Sequence, residues 1–155
     1  MHDAVRVVCV CTHNSARSQL AAALWNDTST VPATSAGTHP AAAVHPGAVA
    51  AAQRHRVPLT PVPPRHVNDV LSADATADSL VITVCDAAHE ELAAHGVVHD
   101  AGRSRLHWSI PDPAQTGGDA AFDRVVTDLT DRIARVAPAV RPTDRRADIG
   151  GPHAG

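Results

Sequence analysis

An apolar run that ends in a cysteine, with an arginine six positions further on, constrains this chain more than any other feature. The stretch reads Val7-Val8-Cys9-Val10-Cys11-Thr12-His13-Asn14-Ser15-Ala16-Arg17-Ser18-Gln19-Leu20. Val5 to Val10 is a short apolar run, rich in valine and broken only by Arg6, the composition of a buried parallel strand. Residues 12 to 16 are small or polar and read as a loop. From Arg17 the pattern turns helical: Leu20 and Leu24 lie four apart, with Ala21 and Trp25 in a neighbouring row. Strand, loop and helix follow one another, with Cys11 at the first turn of the loop.

That order has a chemical meaning. In open parallel sheets ligands bind beyond the carboxyl ends of the strands. A loop there can wrap its backbone amides round an anion, and the helix N-terminus adds positive potential. Arg17 offers a planar fork for two oxygens of a tetrahedral oxyanion. The same field should stabilise a thiolate and depress the pKa of Cys11, with Ser18 and Thr12 as donors to its sulfur. Thr12, His13, Asn14, Ser15, Ala16, Arg17 and Ser18 are the expected oxyanion-binding residues, and Cys11 the expected nucleophile.

The rest of the chain supplies further strands and helices. Ala33 to Ala36 reads as a short strand, closed by Gly37-Thr38. Pro46 opens a helix running to about His55. Pro58, Pro61, Pro63 and Pro64 forbid regular structure, and residues 65 to 71 suit a short helix. Leu80-Val81-Ile82-Thr83-Val84-Cys85 is the clearest strand, and Asp86 after it should cap a helix through Glu90 and Leu92. Leu106-His107-Trp108 reads as the last strand. It leads into an extended loop, Ile110-Pro111-Asp112-Pro113. Asp119 to Val136 is the longest helix, with Phe122, Val125, Val126, Leu129, Ile133 and Val136 on one face. The expected fold is therefore α/β: a single domain, residues 1–138, with a four-stranded parallel sheet and helices on both faces. Residues 139–155, polar and rich in Pro and Gly, are expected to form a mobile tail.

Composition bounds the rest. A chain of 155 residues suits one domain. Phe122, Trp25 and Trp108 are its whole aromatic content, so the core must be built from Val, Leu, Ile and Ala. Its net charge of -3 gives no sign of a general nucleic-acid surface. Three cysteines, Cys9, Cys11 and Cys85, suggest a reducing compartment. No run approaches the roughly 20 apolar residues needed to cross a bilayer, and a cytoplasmic location is expected. The eleven histidines show no ligand spacing with acidic support, and neither H-E-x-x-H nor C-x-x-C occurs, so no metal is expected.

Cys11 to Gln19 resembles the Cys-x5-Arg-Ser loop of the low-molecular-weight protein tyrosine phosphatase superfamily, and in particular of its arsenate reductases. Three further blocks follow in family order. They are Ser35-Ala36-Gly37-Thr38 with Val44-His45-Pro46, then Val81-Ile82-Thr83-Val84-Cys85, then His107-Trp108 with Pro111-Asp112-Pro113-Ala114. The resemblance covers residues 5 to 136 and implies a Rossmann-like sheet, with Asp112 as the general acid of the site. The departures favour the reductase branch. Ala16 stands where the phosphatases carry a second loop cysteine, His13 replaces a glycine, Gln19 replaces a proline, and no tyrosine flanks Asp112-Pro113 to wall a phosphotyrosine ring.

The resemblance also gives Cys85 a role. In thioredoxin-linked relatives the matching cysteine attacks the first, and a third lies seven residues on; here that position is Leu92. Cys9, inside a strand, is expected to pack in the core. Two routes follow: a Cys11–Cys85 disulfide opened by a thioredoxin-like protein, or direct attack by a small thiol such as mycothiol or glutathione. No tightly bound cofactor is expected; the thiol reductant is a co-substrate. The expected activity is thiol-dependent reduction of arsenate to arsenite, with Cys11, Arg17, Asp112 and Cys85 as catalytic residues. The alternatives are a phosphatase acting on a phosphoprotein or a small phosphorylated metabolite, and a non-catalytic oxyanion-sensing module.

Overall fold

The computed structural model describes residues 2–72, 79–95 and 104–142. Four parallel strands carry it: β2 (Arg6–Cys11), β3 (Ala33–Gly37), β4 (Ser79–Thr83) and β5 (Ser104–His107), in the order β3-β2-β4-β5. A separate two-stranded parallel pair joins β1 (His2–Ala4) to β6 (Val140–Pro142). The helices are α1 (Arg17–Thr28), α2 (Pro46–Arg54), α3 (Val67–Ser72), α4 (Asp86–His95), α5 (Pro113–Thr116) and α6 (Asp119–Val136), with a 3-10 turn at Ala137–Ala139.

The α/β expectation holds, and strand order explains where the site falls. From β2 the chain crosses through α1 to β3 on one side; from β4 it crosses through α4 to β5 on the other. Right-handed crossovers running in opposite directions put α1 and α4 on opposite faces. The neighbouring strands β2 and β4 therefore flank the point where the strand order reverses, and a crevice opens beyond their carboxyl ends. Cys11 ends β2, and Cys85 lies two residues past β4.

The core is aliphatic, as the composition requires. Val7, Val8, Val10, Leu80, Val81 and Ile82 are almost fully buried between the helical layers. On α1 the burial is continuous from Ser18 to Trp25, because the helix lies on β2 and β3 and also against α2 and α6. Trp25 is fully buried, and its indole N–H donates to the Val31 carbonyl at 3.0 Å. On α6 the predicted stripe faces inward, with Leu129 and Ile133 buried. Gly47, in the first turn of α2, has no side chain because the Phe122 ring lies against it.

Three boundaries differ from expectation. The strand expected to reach Cys85 ends at Thr83, which leaves Cys85 at the entry to α4. The Asp112 loop is extended only as far as Asp112, after which Pro113 starts the one-turn helix α5. The tail expected from residue 139 begins with order: Val140–Pro142 pairs with His2–Ala4, and Val140 is buried. The remainder of that tail, residues 143–155, lies outside the described residues. No described helix is long and apolar enough to cross a membrane.

Candidate active site

The loop between β2 and α1 is held from outside by the segment after β3. Thr38 N–H donates to the Cys11 carbonyl at 3.1 Å, His39 N–H to Thr12 at 2.7 Å, Ala41 N–H to His13 at 3.0 Å and His45 N–H to Ser15 at 2.8 Å. With its carbonyls turned outward in this way, the loop presents amides inward. Asn14 makes the reversal, with φ of 52°, a left-handed conformation that Asn tolerates better than most residues. Its fully buried side chain fixes the turn: Nδ2 donates to Ser18 Oγ at 2.7 Å, and Oδ1 accepts from Arg65 N–H at 3.0 Å. Gln19 Nε2 closes the loop from behind, donating to the carbonyls of Asn14 and Val62. At the N-terminus of α1, Ala16 supplies no capping side chain. The donors of the first turn are thus left for a ligand.

The Cys11 sulfur sits inside this cradle. Asn14 N–H donates to Sγ at 3.2 Å, and Ser18 Oγ is 3.0 Å away. The thiol donates to Ser18 Oγ, and on ionisation the Ser18 proton can turn to the sulfur, since Asn14 also donates to that oxygen. The site does not have the expected depressed pKa. Burial raises the Cys11 thiol above its ordinary value, and the neighbouring Cys85 adds to this. The Ser18 hydroxyl and amide and the Arg17 charge act in the opposite sense without reversing it. Cys9, one layer deeper, is pushed up to about 12 by burial and by Cys11, as an inert core thiol should be.

The other predicted residues converge. A cavity of ≈ 510 Å³ beside the loop is lined by Thr12, His13, Arg17, Cys85, Ser109 and Asp112 among others. Arg17 donates from one terminal nitrogen to the Ile110 carbonyl at 2.8 Å; the other lies 4.0 Å from Asp112 Oδ2. Asp112 also N-caps α5, its Oδ1 accepting from Ala114 N–H at 3.0 Å. One carboxylate oxygen thus fixes the backbone while the other faces Arg17. Cys85 lines the cavity too, but Thr12 is not a donor to Cys11 as expected. Its hydroxyl lies 3.3 Å from Cys85 Sγ. His13 is exposed at the rim.

Asp86 does not use its carboxylate as a cap. It receives His107 Nε2–H at 2.8 Å and Ser109 Oγ–H at 3.1 Å, and these contacts hold its carboxyl below the usual carboxylate range. Asp86, His107, Ser109 and the loop-holding Arg65 escaped the sequence reading. Their partners lie on other elements, and no spacing pattern encodes such pairings. All three cysteines are free thiols. Among the described residues no group of three or more His, Cys, Asp or Glu is arranged to hold a metal ion.

A buried cysteine and an arginine at the two ends of one anion-cradling loop, at the switch point of a parallel sheet, define a cysteine-and-oxyanion site of the α/β class. Residues 6–145 match the family model for low molecular weight phosphotyrosine protein phosphatase, and the chain belongs to that family of enzymes. Solved structures with this fold come from both of its chemistries. An arsenate reductase from Archaeoglobus fulgidus is 23% identical, with a TM-score of 0.64, covering 86% of this chain and 99% of that one. The tyrosine phosphatase Wzb from Escherichia coli K30, in complex with sulphate, is 19% identical, with a TM-score of 0.72 and coverages of 87% and 97%. A thioredoxin-dependent arsenate reductase from Corynebacterium glutamicum is 23% identical, with a TM-score of 0.61, covering 88% of this chain and 61% of that one. No curated protein matches the sequence. At such identities the likeness establishes the fold and not the reaction.

Proposed function

We propose that the protein is a cytoplasmic, thiol-dependent arsenate reductase. One observation carries the reading: Cys85 shares the cavity with Arg17 and Asp112, and Thr12, the residue after Cys11, contacts its sulfur. Hydrolysis makes no use of a second thiol at that place, whereas a reductase that regenerates itself through a disulfide does.

Arg17 leaves the Ile110 carbonyl and, with the amides of residues 12 to 18, binds the oxyanion. Burial keeps Cys11 as a thiol until then. Its proton passes to a substrate oxygen, and Ser18 Oγ–H and Asn14 N–H receive the thiolate. The sulfur attacks arsenic, and Asp112 protonates the departing oxygen, which leaves as water. Cys85 thiolate next attacks Cys11 Sγ. An S–S bond forms, the S–As bond breaks, and its electron pair stays on arsenic, which leaves as arsenite. Two thiols have become one disulfide, and an external dithiol of the thioredoxin kind reopens it by exchange. A small thiol such as mycothiol, entering at Cys11 directly, would do the work of Cys85. No tightly bound cofactor is needed on either route.

The test is arsenate-dependent NADPH oxidation with thioredoxin and mycothiol systems supplied separately. Cys85→Ser should abolish the thioredoxin-coupled turnover and spare a small-thiol route. Unchanged thioredoxin-coupled turnover would remove Cys85 from the mechanism. A second reading, phosphatase action on a phosphoprotein or small phosphorylated metabolite, is favoured by the pairing of Arg17 with Asp112, which is complete without Cys85. Rapid hydrolysis of an aryl phosphate with no consumption of reducing equivalents on arsenate would decide for it.

A further inference from the structure

Among the described residues, the side chain that touches the Cys85 segment at most points is not in the oxyanion loop. His107, at the end of β5, makes all its described side-chain contacts with residues on either side of Cys85. Nε2 donates to Asp86, the next residue, at 2.8 Å, and Nδ1 meets the Thr83 hydroxyl, two residues before, at 2.8 Å. The ring stacks on His89, four residues after, with centroids 4.1 Å apart and planes 18° from parallel. Asp86 in turn receives the Ser109 hydroxyl at 3.1 Å.

The sulfur at the centre of this frame depends on the geometry of the turn. Cys85 precedes the first residue of α4, where Ser, Asp or Asn usually caps a helix. Its Sγ accepts from Ala88 N–H at 3.4 Å, the contact a capping oxygen would make, and lies 3.3 Å from the Thr12 hydroxyl. Sulfur is a weak acceptor and holds a helix start poorly. The side-chain contacts that fix this turn to β5 come instead from Asp86 and Thr83: both meet His107, and Thr83 also donates to the Leu106 carbonyl at 3.3 Å.

We propose that His107 is a positioning residue for Cys85: through Asp86, Thr83 and His89 it holds the β4–α4 turn so that the second thiol faces the first. It touches neither the oxyanion nor Cys11, and its action is confined to the step in which Cys85 takes the Cys11 sulfur. Nε2–H is given to Asp86, and Nδ1 lies 2.8 Å from the Thr83 hydroxyl, which itself donates to the Leu106 carbonyl at 3.3 Å. The proposal rests on the reductase reading for the step it serves, but the reactivity of Cys85 can be measured whether or not that reading holds.

The experiment compares wild type, His107→Ala and His107→Gln, the last keeping an N–H donor on a chain of similar reach. Arsenate-driven formation of the Cys11–Cys85 disulfide is followed in a single turnover by mass spectrometry. Cys85 alkylation is followed in a Cys11→Ser background, and aryl phosphate hydrolysis reports on Cys11, Arg17 and Asp112 alone. His107→Ala should slow disulfide formation by about tenfold or more, the scale expected when a reacting group is misplaced by part of an ångström. It should change the Cys85 alkylation rate, leave aryl phosphate hydrolysis within about twofold, and be largely rescued in His107→Gln. Unaltered disulfide formation, or a proportional loss of all three readouts, overturns the proposal. So does unaltered Cys85 alkylation. If wild type forms no disulfide on arsenate, the reductase reading falls, and the alkylation result alone then decides whether His107 positions Cys85. Should His107→Ala fail to fold, His107→Gln against Asp86→Asn gives the same comparison of alkylation rates.

Discussion

Asn14 shows how much of this site rests on single atoms. Its amide holds Ser18 for the sulfur, its carbonyl oxygen holds Arg65, and its backbone sits where φ is 52°. Asn14→Ala removes both hydrogen bonds and leaves a β-carbon residue in a disfavoured conformation. We expect a loss of about 2–4 kcal/mol in a urea melt, together with a fall in kcat greater than any change in KM. At Cys9 the expectation is silence. With its pKa pushed up to about 12, it should resist iodoacetamide in the native protein at pH 8 while Cys85, which lines the cavity, reacts, as peptide mapping would read directly. A thiol whose folded pKa is raised contributes stability below its unfolded value, about 8.5, and loses it as pH climbs toward 12. Cys9→Ala should accordingly flatten the alkaline limb of the stability profile.

Gly37 at the end of β3 is the element-scale counterpart, because the segment that follows it holds the loop. A β-carbon there would lie 2.6 Å from the Thr12 carbonyl oxygen and 3.0 Å from Asn14 Cβ, both in the loop. Gly37→Ala must therefore push the loop outward. The expected cost is about 1–3 kcal/mol by thermal melt, with weaker oxyanion binding by inorganic phosphate competition. Elements defined by a repeating pattern were readable in advance. Helix α6 runs from Asp119 to Val136 as its apolar stripe predicts, and α2 starts at Pro46. The strand pair of β1 and β6 was not readable, since three residues such as His2-Asp3-Ala4 carry no period and become a strand only through their partner. Cys85 was misplaced by a similar cause. Val84 and Cys85 are as buried as the strand before them, so hydrophobicity ran past the point where hydrogen bonding stops. The meeting of Cys11, Arg17 and Asp112 around one loop was legible because each falls in a local motif. The His107–Asp86–Ser109 contacts, drawn from three segments, were not.

For the whole molecule, acid should be felt through two surface carboxylates. Asp86 is held low by His107 and then Ser109, and Asp123 by Arg54 and then His55. A carboxylate with a depressed folded pKa contributes stability above its unfolded value, about 3.9, and loses it as pH falls through the folded one. The double variant Asp86→Asn, Asp123→Asn should be less stable than wild type at pH 7 in urea, and the gap should close below about pH 4. Both groups are exposed enough for added salt to narrow the gap as well.

The sheet register carries a consequence of another kind. Val10 pairs with Thr83, the last matched residues of β2 and β4, so Cys11 and Cys85 stand one and two residues beyond a shared rung. Adjacent strands lie about 4.8 Å apart and one residue advances about 3.3 Å. Carried on past that rung, the register sets Cys85 beside Thr12, in keeping with the 3.3 Å between the Thr12 hydroxyl and Cys85 Sγ. The sheet thus works as a caliper: the hydrogen bonds that fold the protein also set where one thiol stands relative to the other. A slip of one residue between β2 and β4 would unpack the core and shift the sulfurs in the same motion, so their relative placement exists only in the native register.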